Sequence, residues 1–553
     1  MKNPRTPRPV FALLLLTFFV LFGALGLSAA PVSAAAPAAD LVVYGGTASG
    51  VIAAYAAARE GLSVVLLEPR GHLGGMVTGG LSATDLANFT VIGGYARDFY
   101  TRTAAHYGIH DLDQAIHWKP EPHVAEQVFG QMLKEAGVDV RLHERLKEHA
   151  GVVIENGRIL RLVTEDGRQW TAKVFLDCSY EGDVMAQSGV KYTIGRESTG
   201  QYGESLAGVR ADTPKHQFQW PLSAYDAHHR LLPEISRRVL PAPGSADKAV
   251  QAYNFRLILT KDRSDQAPFT RPVRYSASRY ELLRRYLDGF EKNMGRKPTL
   301  RDVTNPVAIL GGKSDFNNNG PFSTDYIGHS WQYPDASYAQ KQRIWRDHLS
   351  YVQGFFYFLS HDPGVPASVR EDLDQWGLAK DEFTDSGHWP NQLYIREGRR
   401  MVGVYVMRQA DLQMTRTKPD SIGMGSYQSD SHNVERIVEN GFVKNEGDVQ
   451  VPVQPYEIPY RVLVPDPATV TNLLVPVCFS ASHVAYSSLR MEPQYMIMGQ
   501  AAGVAAALAI RQSLPVREVP IAELQQKLHE QKAVLHIADA NANKPSGAQP
   551  ASD

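Results

Sequence analysis

Asp40-Leu41-Val42-Val43-Tyr44-Gly45-Gly46-Thr47-Ala48-Ser49-Gly50 is the stretch on which the reading of this chain turns. A short apolar strand runs into glycines, and an alanine-rich helix, Val51 to Glu60, follows and is closed by Gly61. A second strand, Ser63 to Leu67, ends at Glu68, 23 residues after Gly45. Strand, tight turn, helix and spaced acid together form a dinucleotide cradle. Gly45 permits the turn, small residues let backbone amides approach a diphosphate, and the helix start contributes partial positive charge. The acid stands where ribose hydroxyls are bound. One position departs from G-x-G-x-x-G: the middle glycine is Thr47, whose Cβ narrows the approach while its hydroxyl offers a donor to phosphate.

Beyond Glu68 comes Pro69-Arg70-Gly71-His72-Leu73-Gly74-Gly75-Met76-Val77-Thr78-Gly79-Gly80, a second glycine-dense loop without apolar period. Such a loop can follow a diphosphate towards a larger ring system, whereas a plain nicotinamide domain proceeds to another βα unit. The competing reading is a flexible turn. Further on, a helix from Val124 to Ala136 and a strand from Val138 to Leu142 precede two hairpin signals, Asn156-Gly157 and Asp166-Gly167. The flanking runs, Gly151 to Glu155, Arg158 to Thr164 and Gln169 to Leu176, predict a three-stranded antiparallel meander. It leads into the acid-bearing turn Asp177 to Asp183. The expected fold is α/β: a Rossmann-like nucleotide domain crossed by a β-meander, with an inserted α+β substrate domain.

Composition narrows the partners. With 553 residues, 43% hydrophobic and 21% charged, the chain can bury a full core. Lys plus Arg (57) nearly equals Asp plus Glu (58), which excludes a general nucleic-acid footprint. The two cysteines, Cys178 and Cys478, cannot ligate an iron–sulfur cluster or a Cys-rich metal site. No metal site is expected, and one bridge between the two is compatible with an oxidising compartment.

Residues 1–39 read as a leader. Lys2, Arg5 and Arg8 precede an apolar run from Val10 to Leu27, and small residues after it suit a signal peptidase. The expected location is periplasmic or extracellular. At about 18 residues the run is near the lower limit for spanning a bilayer, so an uncleaved N-terminal anchor is the alternative. The remaining divisions are 40–200 and 456–535 for the nucleotide-binding part, 201–455 for a substrate or cap segment, and 536–553 for a disordered tail.

The segments Tyr44 to Gly50, Glu68 to Met76, Asp177 to Asp183, Asn317 to Asp325, Arg396 to Gly403, Asp430 to His432 and His483 to Pro493 resemble those of the FAD-dependent oxidoreductase family, in the wider glutathione-reductase-like clan. Some members carry a xanthan lyase label by sequence transfer. Others resemble the flavin subunit of heterodisulfide reductases, against which the missing cysteine clusters argue. The resemblance implies FAD as cofactor. It implies binding by Gly45, Gly46, Thr47, Ser49, Gly50, Glu68, Pro69, His72, Leu73, Gly74, Gly75, Met76, Val140, Asp177, Gly182, Asp183 and Gln500.

The C-terminal return supports the same arrangement. Asn472 to Cys478 reads as a core strand, and Pro493 suits the first turn of a helix from Gln494 to Ile510. Gly499, Gly503 and Ala507 form a smooth stripe on it. Close packing on the nucleotide domain is one reading; a helix start aimed at a flavin is the other, which the resemblance favours.

Oxidation of a C–H beside a hydroxyl or amine needs a proton acceptor, and histidine suits near-neutral pH. His483 is the first choice and His432 the second. Arg490, Glu492 and Arg396 either orient substrate or form structural ion pairs. His72, beside the second glycine loop, is a position for covalent flavin attachment. Five tryptophans, Trp220, Trp331, Trp345, Trp376 and Trp389, together with Asp315 to Asn319, suit a carbohydrate-like substrate, with ordinary aromatic packing as the alternative. The expected function is hydride transfer from a small polar substrate to FAD, and then to oxygen, quinone or a carrier. A non-redox polysaccharide lyase or carbohydrate-binding protein is the competing class, but it leaves the Gly45 to Glu68 cradle without a purpose.

Overall fold

The structure is a computed structural model that describes residues 38–210, 213–413 and 417–542. Almost all of the leader and the stretch 543–553 of the expected tail lie outside the described residues. Two small boundary corrections stand at the ends. Ala39, assigned to the leader, opens the first strand opposite Ala172. At the other end, the helix Ile537–Ala542 lies in the stretch expected to be disordered, because Asp539 accepts the Leu535 and His536 amides and Leu535 is tied to Ser421.

Strand β1 (Ala39–Tyr44) is flanked by β2 (Val64–Glu68) and β6 (Gln169–Asp177), both parallel to it, with β3 (Asp139–Leu142) beyond β2. These central strands are near-continuous apolar runs because both faces of the sheet are covered. Helix α1 (Ala48–Arg59) covers one face. A cluster including Val42, Val65, Phe175 and Leu473 fills the other.

The meander is β4 (Val152–Glu155), β5 (Arg158–Val163) and the first part of β6, whose second part joins the parallel sheet. Asn156 and Gly157 both take positive φ (51° and 69°), the geometry the Asn-Gly hairpin signal demands. The return strand is shorter than expected. Only Leu473–Leu474 pairs with β6, since Pro476 has no amide with which to continue the ladder.

The segment 201–455 does contain an antiparallel sheet, in the order Thr304–Ala308, Ser314–Asn318, Leu257–Thr260, Gly377–Ala379 and Gln266–Ala267. It carries the helices Glu281–Met294 and Tyr338–His361, the latter started by a Ser337/Gln340 capping box. It is not a separate body: Arg400–Met401 pairs with Tyr192–Thr193 across the expected boundary, and the described residues fall in one compact unit. No described helix is long and apolar enough to cross a membrane. Cys178 and Cys478 are both free and buried, so the bridge between them is not formed.

Candidate functional site

At the end of β1, Gly45 has φ +97°, and a Cβ there would stand 2.7 Å from the Ser179 amide nitrogen. The third glycine, Gly50, is tighter still: its Cβ would lie 1.9 Å from the Gly45 carbonyl oxygen. Glu68 reaches back to this turn. Its Oε2 accepts from the Gly46 amide at 2.7 Å and its Oε1 from the Arg70 amide at 2.7 Å. Burial pushes the carboxyl up to about 7, against the opposing pull of those two amides. The second loop lies alongside the first, with the Gly74 amide donating to the Gly46 carbonyl at 2.6 Å.

A cleft of about 510 Å³ opens on this turn. Gly45, Thr47, Glu68, Pro69, His72, Gly75 and Asp183 of the expected residues line it. Its other wall is the helix Tyr338–His361, which contributes Tyr338, Lys341 and Trp345. The Arg70 guanidinium lies 3.8 Å from the centre of the Trp345 ring, bridging loop and helix. The residues present fit a diphosphate-bearing dinucleotide. The glycines leave room where a Cβ would collide, and the first amides of α1 have no helical carbonyl partner. Basic side chains flank the cleft, and an acid sits at the ribose position.

Several expected binders do something else. The Thr47 hydroxyl donates to the Cys178 carbonyl at 2.8 Å and accepts from the Gly50 amide at 3.2 Å, so its proton is committed and it caps α1 instead of offering a phosphate donor. Ser49 faces the C-terminal helix Glu492–Gln512, where a Cβ on Gly499 would come within 2.3 Å of its carbonyl oxygen. A Cβ on Gly503 would come equally close to the Ala53 carbonyl, which is why the smooth stripe packs directly on α1.

Asp177 shapes its own turn, accepting from the Ser179 amide and hydroxyl and from the Met185 amide. Gly182 takes φ +64° at the start of the helix Asp183–Gln187, against Cys478. Asp183 is ion-paired with Arg399 and Lys341, which hold it below the usual carboxylate range despite its burial. Leu73 and Met76 act through backbone amides, to Glu126 and to the Tyr180 hydroxyl. Val140 sits mid-strand opposite Leu66, away from the cleft lining. Gln500 accepts from the Tyr95 amide and donates to Gln531, a tie between helices outside the cleft lining.

His72 is held between two carboxylates. Its Nδ1 lies 3.2 Å from Glu126 and its Nε2 2.9 Å from Asp385. The Glu126 hydrogen bond is the main cause that lifts its pKa to about 9. Those two carboxylate contacts make His72 an ionic tie between the second glycine loop and its neighbours.

The structure brings three of the five catalytic candidates into one ion-paired cluster, the His432 chamber. His432 Nδ1 is 2.7 Å from Asp325 and its Nε2 is 3.5 Å from Asp430. Arg396 Nη1 is 2.9 Å from Asp325, and Arg490 Nη2 is 3.1 Å from Asp430. Tyr394 lies between the arginines: it accepts from Arg490 Nη1 at 2.9 Å, and Arg396 Cζ stands 4.5 Å from its ring centre. Burial and Arg396 pull the His432 pKa down, but Asp325 and Asp430 outweigh them and the net direction is up. His216 stacks nearly parallel to His432, 6.5 Å between ring centres, and lines a second cavity of about 440 Å³.

His483 is elsewhere, its Nδ1 2.8 Å from Glu397 within an ion network that includes Arg400 and Glu197. Gln251 connects the two regions, donating to Glu397 and accepting from the His432 amide. Glu492, at the start of the C-terminal helix, turns from the chamber to accept from the Tyr180 hydroxyl at 2.7 Å. Burial pushes it up to about 8. Tyr180 itself lines the cleft, so the helix start stands one side chain from it.

Sequence reasoning missed Asp325, Asp430, Tyr394 and Tyr180 as site residues. Asp325, Asp430 and Tyr180 lie inside segments that carried the family resemblance, which was the available signal; Tyr394 lies just outside one. Of the five tryptophans only Trp345 lines the cleft. Trp220 stacks on Tyr286, Trp376 sets its edge against Phe316, Trp331 bonds the Val434 carbonyl and Trp389 is buried.

The model of a family described as FAD dependent oxidoreductase matches residues 40–528. No curated protein sequence matches the chain. Among solved structures, THI4 of Thermovibrio ammonificans is 21% identical over 29% of this chain and 66% of its own, with a TM-score of 0.22. An L-amino acid deaminase from Proteus vulgaris is 16% identical over 29% and 53%, with a TM-score of 0.23. A 3-ketosteroid-delta4-(5alpha)-dehydrogenase from Rhodococcus jostii RHA1 is 14% identical over 31% and 58%, with a TM-score of 0.21. The chain thus spans less than two thirds of each, and likenesses this partial say nothing of what it acts on.

Proposed function

We propose, from the premise that this chain belongs to the FAD dependent oxidoreductase family, that it oxidises a small polar molecule at a C–H bond next to a hydroxyl or amine. FAD, when bound, supplies the two-electron acceptor. The Gly45–Gly46 turn and the start of α1 would hold its diphosphate, and Glu68 its ribose hydroxyls.

The observation that carries the reading is His432, partly buried and held by Asp325 at 2.7 Å beside two arginines, in the same compact unit as a dinucleotide cradle. Asp325 fixes the ring, and neutral His432 takes the proton from the substrate hydroxyl or amine as the C–H bond breaks. Arg396, Arg490 and Tyr394 orient the substrate, which approaches through the cavity beside His216. His483 is left a structural role within its ion network. A carbohydrate-like substrate finds little support in the tryptophans, four of which are committed to packing. The leader pattern of residues 1–39 supports action after export.

The test is a stopped-flow experiment on the FAD-loaded protein under anaerobic conditions, with panels of small alcohols, amines and hydroxy acids. The expected result is bleaching of the flavin absorbance by one class. An unsaturated uronate formed from a polysaccharide, with the flavin spectrum unchanged, would overturn the reading.

A further inference from the structure

Arginines in this chain meet carboxylates in a repeated way, through the edge formed by Nε and Nη2. Arg256 binds Asp315 by that edge at 2.8 and 2.9 Å, Arg196 binds Asp247 at 3.0 and 2.7 Å, and Arg284 binds Glu281 at 2.9 and 2.8 Å. Arg400 departs from that pattern, with no hydrogen-bond partner on Nε and Nη1 among the described residues beside Glu197 and Glu397, and so does Arg396. Its Nη1 is used, by Asp325 and by the Ala252 carbonyl, but its Nε and Nη2 have no hydrogen-bond partner among the described residues. The side chain is fully buried, 0% exposed, so bulk solvent does not reach those donors. The neighbouring Arg490 also keeps an unpartnered Nε, and it too is buried. Burial draws the Arg396 guanidinium below its ordinary range in spite of Asp325, with Arg490 and Arg256 adding to the pull.

We infer that the open Nε–Nη2 edge of Arg396, with Arg490 and Tyr394 beside it, is the seat of a substrate carboxylate, so that the substrate is a small organic acid carrying a hydroxyl or amine on the carbon next to that carboxylate. A planar, two-toothed donor edge matches a carboxylate, while an alcohol or sugar hydroxyl leaves one tooth unpaired. The inference rests on the redox reading above and names its substrate class. The step balances. The C–H bond on the substituted carbon breaks with its electron pair passing to FAD, the hydroxyl or ammonium proton passes to His432, and the C–O or C–N single bond becomes double. The carboxylate stays unchanged on Arg396.

The experiment uses the full protein with and without FAD, and sodium acetate against acetamide as probes, read by thermal shift in both forms and by perturbation of the flavin spectrum in the loaded form. The expected result is saturable stabilisation and spectral change with acetate, none with acetamide, and a loss of acetate affinity of about tenfold or more in R396M that R396K does not restore. Acetate without effect on wild-type protein overturns the inference while leaving the redox reading intact if the protein is yellow. A colourless protein that fails to take up FAD sinks the redox reading, and acetate stabilisation of that form still reports on the arginine edge. R396M retaining acetate affinity, or losing FAD with its acetate response unchanged, assigns the edge elsewhere and overturns the inference. Should R396M not fold, the wild-type contrast between acetate and acetamide decides alone.

Discussion

The cleft at Gly45 and the chamber at His432 are built on opposite plans. The cleft owes its shape to residues close in sequence: glycines that turn the chain, a threonine that caps the next helix, and an acid 22 residues from Gly46 that bonds back to it. The chamber draws Asp325, Tyr394, Arg396, Asp430, His432 and Arg490 from distant stretches of the chain and holds them by ion pairs and the Arg490–Tyr394 hydrogen bond. One is a steric device, intolerant of added atoms. The other is electrostatic, tolerant of shape but dependent on every partner's charge. A steric site is thus broken by enlarging one residue, and an electrostatic one by neutralising one.

That contrast is sharpest at Gly45. Substituting valine places a side chain 2.7 Å from Ser179 N at a φ of +97°, so G45V is expected to lose FAD entirely, read as flavin content per chain after purification. Protein that retains the chromophore would show that the turn is not the cradle. Next is H432Q, which leaves flavin content unchanged and slows anaerobic flavin reduction by about 10²–10⁴-fold, since a positioned proton acceptor supplies rate of that order. The residual charge logic gives its wild-type profile a direction: the reduction rate rises with pH through an elevated histidine pKa, because only neutral His432 accepts a proton. A rate falling with pH over that range contradicts the assignment.

Smaller effects probe what joins the two plans. G499L drives a side chain into the Ser49 carbonyl at the contact between α1 and the C-terminal helix, and a loss of about 1–3 kcal/mol is expected in chemical denaturation. The smallest change concerns His72. Its folded pKa is raised to about 9 from 6.5, so its ionic tie contributes fully below pH 6.5 and is lost as pH rises through 9. Stability measured across that window should decline, and H72Q should flatten the decline while leaving FAD bound. Flavin remaining on denatured wild-type protein and absent from denatured H72Q would establish covalent attachment at this histidine.

The strand, the glycine turn, α1, the meander and the small-residue stripe were all legible because each depends on neighbours within a few residues or on helical period. Asn156-Gly157 announced its hairpin for the same reason. The commitment of the Thr47 hydroxyl was not legible, since its acceptor, the Cys178 carbonyl, lies 131 positions away. Nor was the choice between His432 and His483. Each is a histidine in a polar segment with a carboxylate on Nδ1, and only the fold sets one against His216, which lines a cavity, and the other within the Glu397, Arg400 and Glu197 network. Gln500 and Val140 do not line the cleft, because position in a motif says which element a residue occupies, not which face of it meets the cleft.

Local chemistry alone was enough to specify a nucleotide-binding α/β chain: a backbone that needs φ beyond the reach of ordinary side chains, and helices whose small residues repeat, leave their mark in any linear reading. Tertiary structure alone decided which charges meet. Ion pairs form between groups hundreds of residues apart, their strength varies with burial, and neither separation in space nor exclusion of water is written in the order of amino acids.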